Sequence, residues 1–313
     1  MDFLPLPDGA ARQLIDSTTV FDEYRRVREQ ARPYAGGMYW KRQGDYEYLV
    51  KTHPDNRQHR VGPRSTETEA THDKFSRKKL EVEDRLRSLR SALKDSERLN
   101  KAMKVGRVPS TVIDVLQAVE DAGLGEHFVV VGTHALYAYE TAAGVRIVQG
   151  ALATQDVDFL WDARKRVRFI TDLGKLEVSM LQVLQRADPT FHRKEGQNET
   201  AINSRGFEVD FLRRQPEAND PHPFRFSDDE EDLWPVQAVR ASVLTSARRF
   251  DHVVVSATGR MALMRTIAPA AFVEFKRWMA AHAPTREAVK RRRDLRQAEI
   301  VQLLLDQKLL PAS

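Results

Sequence analysis

Two short segments constrain this chain more than any other feature. Gln155-Asp156-Val157-Asp158-Phe159 and Phe207-Glu208-Val209-Asp210-Phe211 both alternate polar and apolar residues with a period of two. Side chains alternate across a β-strand, so Asp156 and Asp158 share one face while Val157 and Phe159 take the other. In the second segment Phe207, Val209 and Phe211 point inward and Asp210 outward. Glu208 shares that outward face, either as a further ligand or as a plain solvated carboxylate. If the two strands are neighbours, about 4.8 Å apart, three carboxylates meet on one patch. Like charges so close repel unless a cation sits among them. All-oxygen donors suit Mg²⁺ or Mn²⁺ rather than zinc. Such a cluster can hold two divalent ions that clamp a reacting phosphate.

A second element precedes these strands. Val129-Val130-Val131-Gly132-Thr133-His134 reads as a buried strand that runs into a helix over 134–142. Gly132 lets backbone approach a ligand closely. The helix start beyond it offers free N–H groups and a positive dipole end to a triphosphate. The Thr133 hydroxyl and the His134 ring are further candidates for phosphate contact, and for His134 a structural role competes. Taken singly, an Asp-x-Asp or a glycine before a helix is usually structural. Their order and their buried flanks carry the functional reading.

The surrounding pattern predicts an α+β protein with a mixed sheet. Apolar runs at 127–132, 155–162, 207–213 and 252–257 read as strands, with helices at 111–122, 134–142 and 175–187. Ser110 is the expected N-cap of the 111–122 helix. Upstream, Phe21, Tyr24, Val27 and Ala31 recur at helical spacing, and residues 38–51 read as a hairpin about Gln43-Gly44-Asp45. Residues 52–66 read as loop. A long helix over 67–104 carries a heptad-like seam of Phe75, Val82, Leu86, Leu89, Leu93 and Met103. Its poor members, Lys79, Ser96 and Asn100, favour packing against the protein body, with a homodimer through the N-terminal region as the alternative. Downstream, Pro269 opens a helix to about 282, and Thr285 caps a last one over 286–308. The expected divisions are 1–104 (helix and hairpin), 105–267 (catalytic core) and 268–313 (C-terminal helices).

Composition narrows the class. The chain has 313 residues, 41% hydrophobic and 30% charged, with no cysteine. It can bury a core, and it has no disulfide scaffold, thiolate zinc site or cysteine nucleophile. No histidine pair has metal-ligand spacing. No apolar run approaches the roughly 18–20 residues of a membrane span. The N-terminal MDFLPLPDGAARQ lacks a basic start followed by an apolar stretch, so a cytoplasmic location is expected. Net charge is +5, and residues 76–104 carry ten Lys/Arg against five Asp/Glu. That helix is either a solvated face or an arm facing nucleic acid. Trp40, Trp161, Trp234 and Trp278 read as core or interface aromatics.

Strand, Gly132-Thr133, helix, Asp156-Val157-Asp158 and then Asp210 on an apolar strand together resemble the nucleotidyltransferase superfamily related to DNA polymerase beta. The stretches GGMYWKRQGDYEYLV, GPRSTETE and ATQDVDFLWD are similar to one bacterial branch, to which abortive-infection toxin nucleotidyltransferases are more distant relatives. The resemblance implies a metal-dependent transfer of a nucleoside monophosphate from an NTP, ATP included, to RNA or tRNA, a protein or a small molecule. Asp156 and Asp158 would then ligate both ions, Asp210 would complete the ion that activates the acceptor, and Gly132 and Thr133 would contact phosphates. Thr133 stands where Ser or Gly is usual, and 22 residues separate it from Asp156. A turn or short strand around Val145–Ala151 would absorb that length. Lys276 and Lys290 resemble the lysines that face the triphosphate in the toxin relatives, with Arg292-Arg293-Asp294 nearest their Lys/Arg-x-Asp pattern. Asp294 either orients one of those cations or forms a surface ion pair. The alternative functions are a nucleotide- or nucleic-acid-binding module without turnover, and the toxin of a toxin–antitoxin pair.

Overall fold

The computed structural model describes residues 2–54, 57–152, 154–161, 166–174, 178–215, 226–283 and 286–311. The chain forms two compact units, one of Met1–Ala11 with Asn100–Ser313 and one of Arg12–Leu99. Elements are numbered in chain order. The fold is mixed α and β, as the alternation of apolar runs predicts.

The larger unit is built on a sheet with strand order β5 (Phe128–Val131), β7 (Asp156–Trp161), β10 (Glu208–Arg213), β9 (Gln197–Ile202), β8 (His192–Lys194). β7 and β10 run parallel, while β5, β9 and β8 pair antiparallel with their neighbours. A short β11 (Val236–Gln237) adds in parallel beside Leu212 and Arg213 of β10. The inward residues of the acidic strands pack into an aromatic core. Phe159 and Phe211 stack at 5.8 Å, and Phe128 and Phe226 meet Phe211 at 5.4 and 5.1 Å. Trp161 is fully buried beside Phe169 and Phe226. Each ring removes a large apolar area from water, which pins the register of β7 and β10 and holds their carboxylates on the opposite face.

Helices surround this sheet: α3 (Ser110–Asp121), α4 (Ala135–Ala142), α5 (Gln149–Leu152), α6 (Arg166–Gly174), α7 (Met180–Gln185) and α8 (Ala241–Ser246). A hairpin of β12 (Arg249–Val255) and β13 (Met261–Ile267) follows, then α9 (Pro269–His282) and α10 (Ala288–Asp306). α9 and α10 share the core of the larger unit through Phe272, Val273, Ile300, Val301 and Leu304. The chain start contributes β1 (Phe3–Pro5), paired antiparallel with β6 (Val145–Ile147). β6 and α5 occupy the extra length between Thr133 and Asp156.

Local signals act largely as read, with corrections. α3 begins at Ser110 itself, with Pro109 as the residue before it and no side-chain cap. Proline's fixed φ suits that entry without a hydroxyl. The 175–187 helix is observed as α7, where Ser179 and Gln182 form a capping box. Residues 175–177 lie outside the described residues, as does Thr285. Glu287 stands before α10. The acidic run 228–232 supplies one structural member: buried Asp232 accepts the backbone N–H groups of Met180 and Leu181 at 3.0 and 2.9 Å.

In the smaller unit, β2 (Gly37–Gln43) and β3 (Tyr46–Thr52) form the expected hairpin. β4 (Gln58–Pro63) pairs with β3, so the loop expected over 52–66 contains a strand. Its side chains are nearly all exposed, so no apolar alternation marks it in the sequence. The two long helices are α1 (Asp8–Ala31) and α2 (Thr66–Ala102). Val27 of α1 is buried with Leu86 and Leu89 of α2, flanked by Tyr24 and Ala31. No helix among the described residues is long and apolar enough to cross a membrane.

Candidate active site

The parallel register sets Asp158 directly opposite Asp210, and Asp156 opposite Glu208. One carboxylate oxygen each of Asp156, Asp158 and Asp210 lies within 4.8 Å of the other two. The three half-buried groups therefore meet as the strand pattern predicts. Glu208 is diverted, because its Oε1 accepts from Lys194 Nζ at 2.7 Å. Two hydroxyls aim the outer carboxylates: Thr200 Oγ1 donates to Asp210 Oδ1 at 2.6 Å, and Thr154 Oγ1 donates to Asp156 Oδ1.

Concentrated negative charge marks the cluster. Burial, reinforced by Asp156 and Asp210, pushes the Asp158 carboxyl up to about 7, against the pull of Lys276 and Arg286. Burial also raises Asp210, with the Thr200 hydrogen bond opposing it and Asp156 adding to it. A divalent cation would relieve this repulsion, and three hard oxygen donors at this spacing fit a metal site.

Gly132 closes against the cluster. Its φ is +69°, and a Cβ there would lie 2.2 Å from Asp158 Oδ2. Only glycine meets both demands. Gly132, Thr133 and His134 form a 3₁₀ turn, so α4 begins one residue later than read, at Ala135.

A family model described as nucleotidyltransferase matches residues 110–313. The chain belongs to the nucleotidyltransferase family. The matched stretch holds all three aspartates, Gly132 and both C-terminal helices. No curated protein and no solved structure matches the chain.

The nucleotidyltransferase buries one lysine of its C-terminal helices. Lys276 of α9 is 3% exposed, and its Nζ donates to Asp294 Oδ1 at 2.9 Å. Arg286 Nε donates to Asp294 Oδ2 at 2.7 Å. Asp294 is fully buried between them, so its ion pairs are internal and not the surface pair weighed for it. Burial alone would raise the Asp294 carboxyl, but the hydrogen bonds from Arg286 and Lys276 hold it below its ordinary range. Burial pulls the Lys276 ammonium down, and Asp294 and Asp158 hold it up. Lys290 is placed differently. It is half-exposed in the first turn of α10, with Glu287 at 3.7 Å, and makes no contact with the aspartates among the described residues.

His134 is buried against Tyr137 and Phe207. Burial pushes its imidazole down to about 4, with Asp156 pulling the other way, so the ring is neutral at pH 7. Thr133 is also buried, and its Oγ1 accepts from Gln297 Nε2 at 3.1 Å. The same amide donates to Ala151 O at 2.7 Å. Gln297, Arg286 and Thr200 escape a reading of motifs. Gln297 has one signal in the sequence: with Asp294 it interrupts the stripe Ala298, Val301 and Leu304 on the buried face of α10. Polar residues on a buried face need partners, and here both find them at the site.

Proposed function

We propose that this nucleotidyltransferase moves a nucleoside monophosphate from an NTP to an acceptor hydroxyl and releases pyrophosphate, using Mg²⁺ or Mn²⁺ held by Asp156, Asp158 and Asp210. The observation that carries the reading is the convergence of these three carboxylates within 4.8 Å. It accords with placement in the superfamily related to DNA polymerase beta.

When bound, the metal supplies Lewis-acid activation of the hydroxyl and neutralises developing charge on the phosphates. Gly132 and Thr133 receive the triphosphate, and Gln297 occupies one side of the Thr133 oxygen, leaving its O–H to donate to a phosphate. Lys276 lends positive charge from inside the fold, fixed by Asp294. The acceptor oxygen bonds to the α-phosphorus, and the bond from that phosphorus to pyrophosphate breaks. The hydroxyl proton leaves to Asp210, which Thr200 holds in place. ATP is the reference nucleotide, RNA and tRNA head the acceptors, and the enzyme works in the cytoplasm.

The test incubates the full chain with α-labelled ATP, GTP, CTP or UTP, Mg²⁺ or Mn²⁺, and cell extract. Label passes to an acceptor in one of these mixtures. Transfer by Asp156→Ala/Asp158→Ala as efficient as by the natural chain would sink the reading.

A further inference from the structure

The whole net charge of the protein sits outside the larger unit. Residues 12–99 carry twenty Lys/Arg against fifteen Asp/Glu, a surplus equal to the +5 of the full chain. Within this smaller unit the surplus is arranged. Arg87, Arg90, Lys94 and Arg98 follow one another at spacings of three, four and four on α2, so they lie along one helix face. They span about 16 Å at the α-helical rise. All four are exposed. Arg87 and Arg98 make only exposed pairs, with Asp84 at 2.9 Å and Asp95 at 3.0 Å. Such pairs contribute little and open readily. Arg90 and Lys94 have no acidic partner among the described residues. Glu83 and Glu97 flank the row, and Glu83 is 3.7 Å from Lys79.

The row ends on a cleft of about 400 Å³. Tyr34, Val82 and Leu86 line it together with the Glu83 carboxylate, and Arg87 and Arg90 stand in its wall as the two cations against that one acid. Tyr34 is held by Phe75, ring centroids 5.5 Å apart. An aromatic-walled cleft beside a row of cations matches the chemistry of a single-stranded nucleic acid. Phosphates track the cations, and an unstacked base enters the cleft against the ring. A duplex hides its base faces and cannot use the cleft.

We propose that the face of α2 bearing Arg87, Arg90, Lys94 and Arg98, with the Tyr34 cleft, binds single-stranded nucleic acid. The proposal is independent of the transfer reaction, since none of these residues belongs to the carboxylate site.

The test is fluorescence anisotropy with the full chain and a labelled 15-nucleotide RNA, the same sequence as single-stranded DNA, and its duplex, from 50 to 200 mM salt. The natural chain binds at least one single strand more tightly than the duplex. Changing all four cations to glutamine weakens binding at least about 30-fold at low salt. It also flattens the log–log salt dependence by about 3, the slope expected for four single-strand phosphate contacts. The pair Arg90→Gln/Lys94→Gln breaks no hydrogen bond or ion pair among the described residues, so it reads the same effect at half size if the quadruple variant melts early. Tyr34→Leu keeps the apolar volume and weakens binding about tenfold with the salt slope unchanged. Asp156→Ala/Asp158→Ala/Asp210→Ala binds like the natural chain, which separates this proposal from the fate of the transfer reading. Equal binding of duplex and single strands, unchanged affinity in Arg90→Gln/Lys94→Gln, or unchanged affinity in Tyr34→Leu would overturn it.

Discussion

Gly132 and Asp158 come so close that a single methylene between them would collide: a Cβ at position 132 falls 2.2 Å from Asp158 Oδ2. The glycine thus fixes how near the backbone turn and the carboxylates can stand.

Gly132→Ala is therefore expected to act twice. The left-handed φ costs about 1–2 kcal/mol in an L-residue, visible as a lowered Tm. The clash also displaces the Asp158 carboxylate, so Mn²⁺ binding by calorimetry weakens at least about tenfold. An alanine variant with unchanged metal affinity shows that the contact is incidental.

Gln297 gives a second prediction. Gln297→Leu strands the Ala151 carbonyl and frees the Thr133 hydroxyl, with an expected stability loss of about 1–3 kcal/mol. Because Gln297 acts through Thr133, KM for the NTP rises while Mn²⁺ affinity at the aspartates holds. Loss of stability with no change in KM would assign Gln297 to packing alone.

Asp294 separates support from chemistry. Asp294→Ala leaves Lys276 buried without its partner, and removing one member of a buried pair costs about 3–5 kcal/mol. Lys276→Met leaves Asp294 with Arg286, so it melts closer to the natural chain and yet loses NTP affinity. Equal destabilisation by both, measured in urea, argues against the asymmetric arrangement.

The raised Asp158 carboxyl ties stability and metal binding to pH. In the metal-free protein its folded value of about 7 exceeds the ordinary 3.8. The stability it contributes is full below about pH 4 and is lost as pH rises towards 7. Metal needs the ionised form, so Mn²⁺ affinity drops about tenfold per pH unit below 7 and levels off above it. The Tm gain from Mn²⁺ is then larger at pH 8 than at pH 6, and Asp158→Asn abolishes the difference. A Tm gain that is the same at both pH values contradicts this assignment.

The carboxylate cluster was legible because strand alternation is a local rule with one outcome. Once Val157, Phe159, Val209 and Phe211 claim the core, Asp156, Asp158 and Asp210 have only one side left. Gly132 and the C-terminal helices were legible for similar reasons. What the chain concealed lies in long-range pairing. Thr200 sits in Gln197–Ile202, a polar strand without apolar alternation, and its value comes from standing opposite Asp210. Gln297 reaches Thr133 across 164 positions of sequence. The inward face of α10 around Asp294 is also invisible until its packing against α9 is known, because four basic residues in a row, Lys290 to Arg293, suggest a wet helix. β13, MALMRTI, and the edge strand β4 lacked the signals that mark strands.

The most direct measurement compares ATP labelled at the α-phosphate with ATP labelled at the γ-phosphate, in Mn²⁺ and with the acceptor-containing extract. The account predicts that the α-label becomes attached to acceptor while the γ-label leaves in pyrophosphate, and that Asp158→Asn lowers transfer at least about 100-fold. Attachment of the γ-label, or full transfer by Asp158→Asn, contradicts it.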